Sequence, residues 1–226
     1  MIKWNSGLLL MVLMSACWHK PKKSSTQNET QPFIGNVEAG RLLYNNACKT
    51  CHGEGAEGSK KFQAPTLANT DDWYLYRQLM NYRNGLRGDN YYDTLAFQMA
   101  AMAKALKDTI AVRDVVAYIK IMPGVNVTTD LVGDKKNGKN IYQGICGSCH
   151  GPNAVGNEKL NAPKLSGLND WYLKQQIWKF KKAIRGAHPD DKLGAQMVTM
   201  MAMLPDEKAI NDVIAYMQSA GESVSK

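Results

Sequence analysis

Cys48-Lys49-Thr50-Cys51-His52-Gly53 and Cys146-Gly147-Ser148-Cys149-His150-Gly151 are two copies of one pattern, C-x-x-C-H-G, set 98 residues apart in a chain of 226. Outward from them the same offset holds without insertion or deletion. Gly40 and Tyr44 recur as Gly138 and Tyr142, and Ala64-Pro65 with Leu67 as Ala162-Pro163 with Leu165. Asp72-Trp73-Tyr74-Leu75 recurs as Asp170-Trp171-Tyr172-Leu173, Gln78 as Gln176, and Arg87-Gly88 as Arg185-Gly186. Gln98-Met99 returns as Gln196-Met197, Leu106 as Leu204, and Ala117-Tyr118 as Ala215-Tyr216. A fixed period of this length is the mark of a tandem duplication.

Within each copy the hydrophobic pattern is helical. Val112, Val115, Val116 and Ile119 fall at i, i+3, i+4 and i+7, and Ile210, Val213, Ile214 and Met217 repeat the stripe, so each copy closes with an amphipathic helix. The proline-free segments Val37 to Cys48 and Asp134 to Cys146 lead straight into the cysteine motifs. Asp71 and Asp72 stand where an N-cap and a first-turn acid belong. No stretch alternates with a period of two. The expectation is an all-α chain of two tandem domains, residues 33–124 and 134–226, joined by a short linker at 125–133 after Met122-Pro123-Gly124.

Ahead of the first copy, residues 1–16 have the layout of an export signal: Lys3, an apolar run from Gly7 to Met14, then Ser15 and Ala16. The run is too short to span a bilayer. Leu13-Met14-Ser15-Ala16-Cys17 resembles the bacterial lipobox, so Cys17 is read as a lipidation site and residues 17–32, rich in Lys, Ser, Thr, Gln and Asn, as a flexible tether.

C-x-x-C-H is the signature of covalent c-type haem attachment. Two thiols three positions apart at a helix end can reach the two vinyl groups on one edge of a porphyrin, and the next residue carries an imidazole to the iron. Cys48, Cys51, Cys146 and Cys149 are thus candidate attachment residues for two haem c groups, and His52 and His150 candidate axial ligands. A structural zinc site would pool thiolates across the motifs, a dithiol redox pair would expect a βαβ context, and simple disulfides would leave both histidines without a role. For the sixth iron ligand the candidates are methionines. Met99 and Met197 each lie 47 residues after their histidine, and Met102 and Met200, three residues further on, are duplicated too.

Over residues 36 to 220 the chain resembles the dihaem class I cytochromes c of the c-four type. His52-Gly53 and His150-Gly151, Pro65-Thr66-Leu67 and Pro163-Lys164-Leu165, and Met99 through Leu106 fit that family's succession of motifs. Met197 through Leu204 fits with Met201 where the family often has Ala. The resemblance implies Met99 and Met197 as the ligands, and the carbonyls of Pro65 and Pro163 as acceptors from the proximal imidazoles, unless those prolines merely shape a loop. It also implies two class I domains facing each other, with a close crossing of first and last helices at Gly40 and Tyr118 and at Gly138 and Tyr216.

The chain carries a formal charge of +8. Lys and Arg exceed Asp and Glu by one over residues 32–130 and by four over 131–226. Lys174, Lys179, Lys181, Lys182 and Arg185 fall at helical spacing, as a solvated face or as a docking patch. Nucleic acid does not suit an exported chain, and a saturated iron binds no small-molecule substrate. The expected function is electron transfer in a respiratory chain toward a terminal oxidase or similar acceptor. The expected place is the periplasmic side of a bacterial membrane, held by the lipid. Expected redox partners are an oxidase, a dehydrogenase or a quinol-oxidising complex. The alternatives are a haem subunit of a larger membrane complex, or a dihaem peroxidase with one open iron face. His188 has Asn90 at the equivalent position and is not expected to be a ligand.

Overall fold

Beyond its first residue, the computed structural model describes residues 34–222, with side chains to 220. The export signal read at 1–16, the tether at 17–32 and Cys17 lie outside the described residues. The first copy contributes α1 (Val37–Ala47), α2 (Lys49–His52), α3 (Asp72–Arg83), α4 (Thr94–Ala105) and α5 (Thr109–Lys120). The second contributes α6 (Lys135–Ile141), α7 (Gly147–His150), α8 (Asp170–Lys181), α9 (Lys192–Ala202) and α10 (Glu207–Glu222). Apart from isolated bridges at Ser59–Ala64 and Asn157–Ala162, there is no β-pairing among the described residues.

Short polar side chains start these helices by accepting otherwise unpaired first-turn N–H groups. Asn36 caps α1 through Ala39 N at 3.0 Å, Asp93 caps α4 through Ala96 N at 3.0 Å, and Asp108 caps α5 through Ala111 N at 2.9 Å. The segment expected to run as one helix from Asp134 to Cys146 breaks its period: α6 gives way to a π-helical turn over Tyr142–Cys146. Gly144 stands there in place of Asn46.

In each copy the first and last helices cross closely. A Cβ on Gly40 would lie 1.9 Å from the carbonyl oxygen of Asp114, and one on Gly138 at 1.9 Å from that of Asp212. Only hydrogen side chains permit these approaches. Val112, Val115, Val116 and Ile119 of α5 then pack with Tyr44, Leu75 and Leu106, and Ile210, Val213, Ile214 and Met217 of α10 with Tyr142, Leu173 and Leu204. Each fully buried aliphatic stabilises by roughly 1.5–3 kcal/mol, so the two closing helices supply much of the core.

A carboxylate pins each crossing. Asp114 accepts from Asn36 N at 2.7 Å, and Asp212 from Asp134 N at 2.8 Å. Asp212, only 2% exposed, also accepts from Asn137 Nδ2 at 2.7 Å and Lys208 Nζ at 2.6 Å. The Lys208 and Asn137 hydrogen bonds, outweighing burial, draw its pKa from 3.8 down to about 2. A depressed carboxylate stabilises the fold above its unfolded pKa and loses that contribution as pH falls through its folded value. Asp212→Asn is therefore expected to cost about 2 kcal/mol at pH 7 and close to nothing below pH 2, as read by thermal melts of both proteins across an acid titration.

Between the copies lies a pseudo-two-fold set of hydrogen bonds. Thr66 N donates to Asn169 Oδ1 at 2.7 Å and its repeat-mate Lys164 N to Asp71 Oδ2 at 3.2 Å, so these two N-cap side chains join the domains instead of closing their own helices. Arg87 donates to Gln78 Oε1 at 2.7 Å and across to Gln176 Oε1 at 3.0 Å. Arg185 donates to Gln176 Oε1 at 2.8 Å and across to Gln78 Oε1 and Tyr74 Oη, both at 2.9 Å. Lys179 and the buried Asp93 close an ion pair at 2.7 Å over the same boundary.

The basic cluster along and just after α8 divides between solvent and structure, with Lys182 exposed. Lys174 pairs with Glu207 at 2.6 Å, half-buried Lys179 pairs with Asp93 and buried Arg185 donates across the boundary, and Lys181 bonds the carbonyl of Leu204. Helical spacing put the charges on one stretch, but neighbours from both copies give four of the five a defined partner. The segment between α5 and α6 is also tacked down, since Asp170 accepts from Thr129 Oγ1 and the Asp130 and Leu131 amides within 3.0 Å.

Candidate functional site

Each cysteine motif is held from two sides. From the helix before it, Tyr44 Oη donates to Gly53 O at 2.7 Å, and Tyr142 Oη to Gly151 O at 2.8 Å. From the loop after it, Pro65 O lies 2.8 Å from His52 Nδ1, and Pro163 O lies 2.8 Å from His150 Nδ1. The loop reaches the ring because Gly58 and Gly156 sit at φ +86° and +85°, where an added Cβ would meet the amide of Thr66 or Lys164 at 2.5 Å.

A carbonyl only accepts, so in each ring Nδ1 carries the proton and Nε2 keeps its lone pair free for a metal. Burial lowers the pKa of both imidazoles, the carbonyl bond opposing it. Both rings therefore favour the neutral, ligand-competent form. The contact also fixes the ring plane and raises the basicity of the ligating nitrogen.

All four described cysteines are free thiols. Cys51 and Cys149 are exposed, whereas burial, with the neighbouring thiol adding to it, pushes Cys48 and Cys146 up to about 12. Among the described residues no three His, Cys, Asp or Glu side chains gather into a metal-binding group, so a pooled zinc site is not assembled.

In the second copy a cavity of about 430 Å³ opens beside the motif, lined by Cys146, Cys149, His150, Met197 and Met200 and, toward the first copy, by Tyr74, Gln78 and Arg185. That is a volume typical of cofactor sites. In the first copy Met99 is half-buried against Tyr82, Ala96, Ala100 and Ala103, while Met102 is 42% exposed. His188 is half-exposed, its ring accepting from Asp190 N and its carbonyl from Asp191 N.

A haem c group would meet suitable chemistry here: thiols for its vinyl edge, a tautomer-locked imidazole, thioethers, and an apolar enclosure. It also carries two carboxylates. Arg87 and Arg185 are both 8% exposed, and among the described residues neither is ion-paired to a carboxylate. Arg87 Nε has no hydrogen-bond partner. Two buried cations sharing neutral amide oxygens leave room for such an anion, which burial of unpaired charge would favour. The repeat exposed these arginines and glutamines in the sequence, but not that they meet each other.

A family model described as Cytochrome c matches residues 37–123 and again 135–221. Cytochrome c4 of Thiocapsa roseopersicina is 28% identical over 201 residues, covering 84% of this chain and 96% of that protein. The Cbb3-type cytochrome c oxidase subunit FixPc of Rhizobium leguminosarum bv. viciae is 34% identical over 134 residues, covering 58% of this chain. The chain spans only 44% of that relative's length. The crystal structure of reduced recombinant cytochrome c4 from Pseudomonas stutzeri superposes with a TM-score of 0.63 at 25% identity, over 82% of this chain and 98% of that one. With two all-helical domains that each match the family model and carry its cysteine motif for covalent haem c, the chain belongs to the cytochrome c family.

Proposed function

We propose that this protein is a lipid-tethered dihaem carrier in which each iron is six-coordinate, by His52 and Met99 in one domain and His150 and Met197 in the other, and that it passes electrons toward a terminal oxidase. The observation that carries this reading is the repetition of one constellation: the same imidazole, locked by the same proline carbonyl at 2.8 Å, follows the same thiol pair in both copies. A peroxidase would require the two sites to differ in ligation. The haem supplies one-electron redox chemistry, and thioether ligation favours its reduced state.

The chain's own residues do the rest. Cys48 with Cys51, and Cys146 with Cys149, anchor the group. Pro65 and Pro163 hold the Nδ1 protons, and the apolar cores exclude water. The shared Arg–Gln set keeps the two domains in fixed register, so an electron crosses between them without domain motion. Residues 33–124 and 134–226 form the two redox domains, with 125–133 linking them. Cys17, in its lipobox-like setting, tethers the protein on the periplasmic side of the membrane, in reach of a dehydrogenase or quinol-oxidising donor. Among the described residues no helix is long and apolar enough to cross a membrane.

The likeness to an oxidase subunit favours a second reading, a fixed place within a larger respiratory complex. Optical spectra of the matured protein test the first. Low-spin signatures in both oxidation states, no spectral change on adding peroxide, and oxidation by an isolated terminal oxidase without co-purifying with it are the expected results. A high-spin haem that reacts with peroxide would replace the carrier with an enzyme.

A further inference from the structure

We propose that the second domain contains two exchangeable thioether ligands, Met197 and Met200, where the first domain contains only Met99. The inference rests on methionine ligation as read above, and it concerns a difference between copies that are otherwise matched position for position.

Met197 and Met200 are three residues apart on α9, which places them about 60° apart around the helix, on one face. Both are half-buried, and both line the same cavity as Cys146, Cys149 and His150, whereas Met201 and Met217, which border it too, are fully packed in the core at 4% and 2% exposure. On α4 the corresponding pair is split. Met99 packs inward against the cluster of Tyr82, Ala96, Ala100 and Ala103, while Met102 is 42% exposed. The repeat therefore gives equal sequence candidates in both domains, but burial makes them unequal in the first and equivalent in the second. Methionine is long, unbranched and adaptable, so a rotamer change brings the second sulfur to a site that the first has vacated. Met99 has no such understudy.

The second domain should consequently tolerate loss of its ligand. The measurement is the far-red absorption band of the methionine-to-ferric-iron bond, scaled to covalent haem per chain. Met99→Leu, which keeps side-chain volume, is expected to remove half of the band. Met197→Leu and Met200→Leu are each expected to leave it within about a tenth of the wild-type value, and the double variant Met197→Leu/Met200→Leu to remove the other half. Two haems per chain in every variant, with unchanged far-UV circular dichroism, show that the fold is kept. Loss of half the band in Met197→Leu alone overturns the exchange while leaving methionine ligation in place. A wild-type protein without the band overturns the ligation reading itself. Should Met197→Leu not fold, the reduced wild-type protein decides by the methyl resonances of its iron-bound methionines. A second-domain methyl signal that exchanges between two sites supports the proposal, and a single sharp one overturns it.

Discussion

A chain carrying Cys146→Ala and Cys149→Ala is expected to leave maturation with one covalent haem instead of two, and with a second domain that no longer melts cooperatively. Both effects have one origin. The thiols are the only covalent hold on the group, and the 430 Å³ space beside them is walled by core side chains that need a filler. Without the haem, the core side chains along this space face water instead of the group, a loss of apolar burial larger than that of a single large-to-small substitution, which costs about 2–5 kcal/mol. A domain of this length has little stability to spare. Cys48→Ala with Cys51→Ala should mirror the result. The damage should also reach across the boundary, because Arg87 donates to Gln176 and Lys179 is the partner of Asp93. Haem-specific staining and a haem-to-protein ratio check the count, and melting followed at the Soret and in the far-ultraviolet checks the cooperativity. Two haems in either double variant would mean that attachment lies elsewhere.

Nearly as large an effect is expected from one methyl group at a helix crossing. In Gly40→Ala and Gly138→Ala the new Cβ would stand 1.9 Å from a backbone carbonyl oxygen of the partner helix, well inside contact distance. No rotamer relieves a clash between a Cβ and a main-chain atom, so the helices must separate. Separation uncouples the Asp114 or Asp212 pin and loosens the valine and isoleucine stripe behind it. The expected loss is about 3 kcal/mol or more, which for a domain of this size lowers Tm by roughly 12 °C or more. Gly144→Ala serves as the control. It lies in the π-helical turn that follows α6, nothing sits within 4 Å of its added Cβ, and it is expected to be neutral. Equal melting of Gly138→Ala and Gly144→Ala would show that the crossing has slack.

The α8 charges show where a one-dimensional pattern stops being informative. Spacing identifies Lys174, Lys179, Lys181 and Arg185 as near neighbours on a helix, but the partner of each is decided elsewhere: Glu207 on α10, Asp93 in the other copy, the carbonyl of Leu204, and Gln78 across the boundary. The methionines make the same point. Met102 and Met200 occupy one repeat position, and only packing distinguishes the exposed sulfur from the cavity-lining one.

What the residues determined by themselves was whatever depends on local spacing: two C-x-x-C-H motifs, a helical period, and the duplication that makes two domains of one plan. Those properties are set within a few residues along the chain, or by comparing one copy with the other. Tertiary structure alone decided how the copies face each other, which of the charges are buried, and that two arginines and two glutamines of matching repeat positions meet across a pseudo-two-fold boundary. The physical reason is that a buried guanidinium is stable only where distant segments supply acceptors for its donors, and no pattern read along one segment encodes what another brings to it.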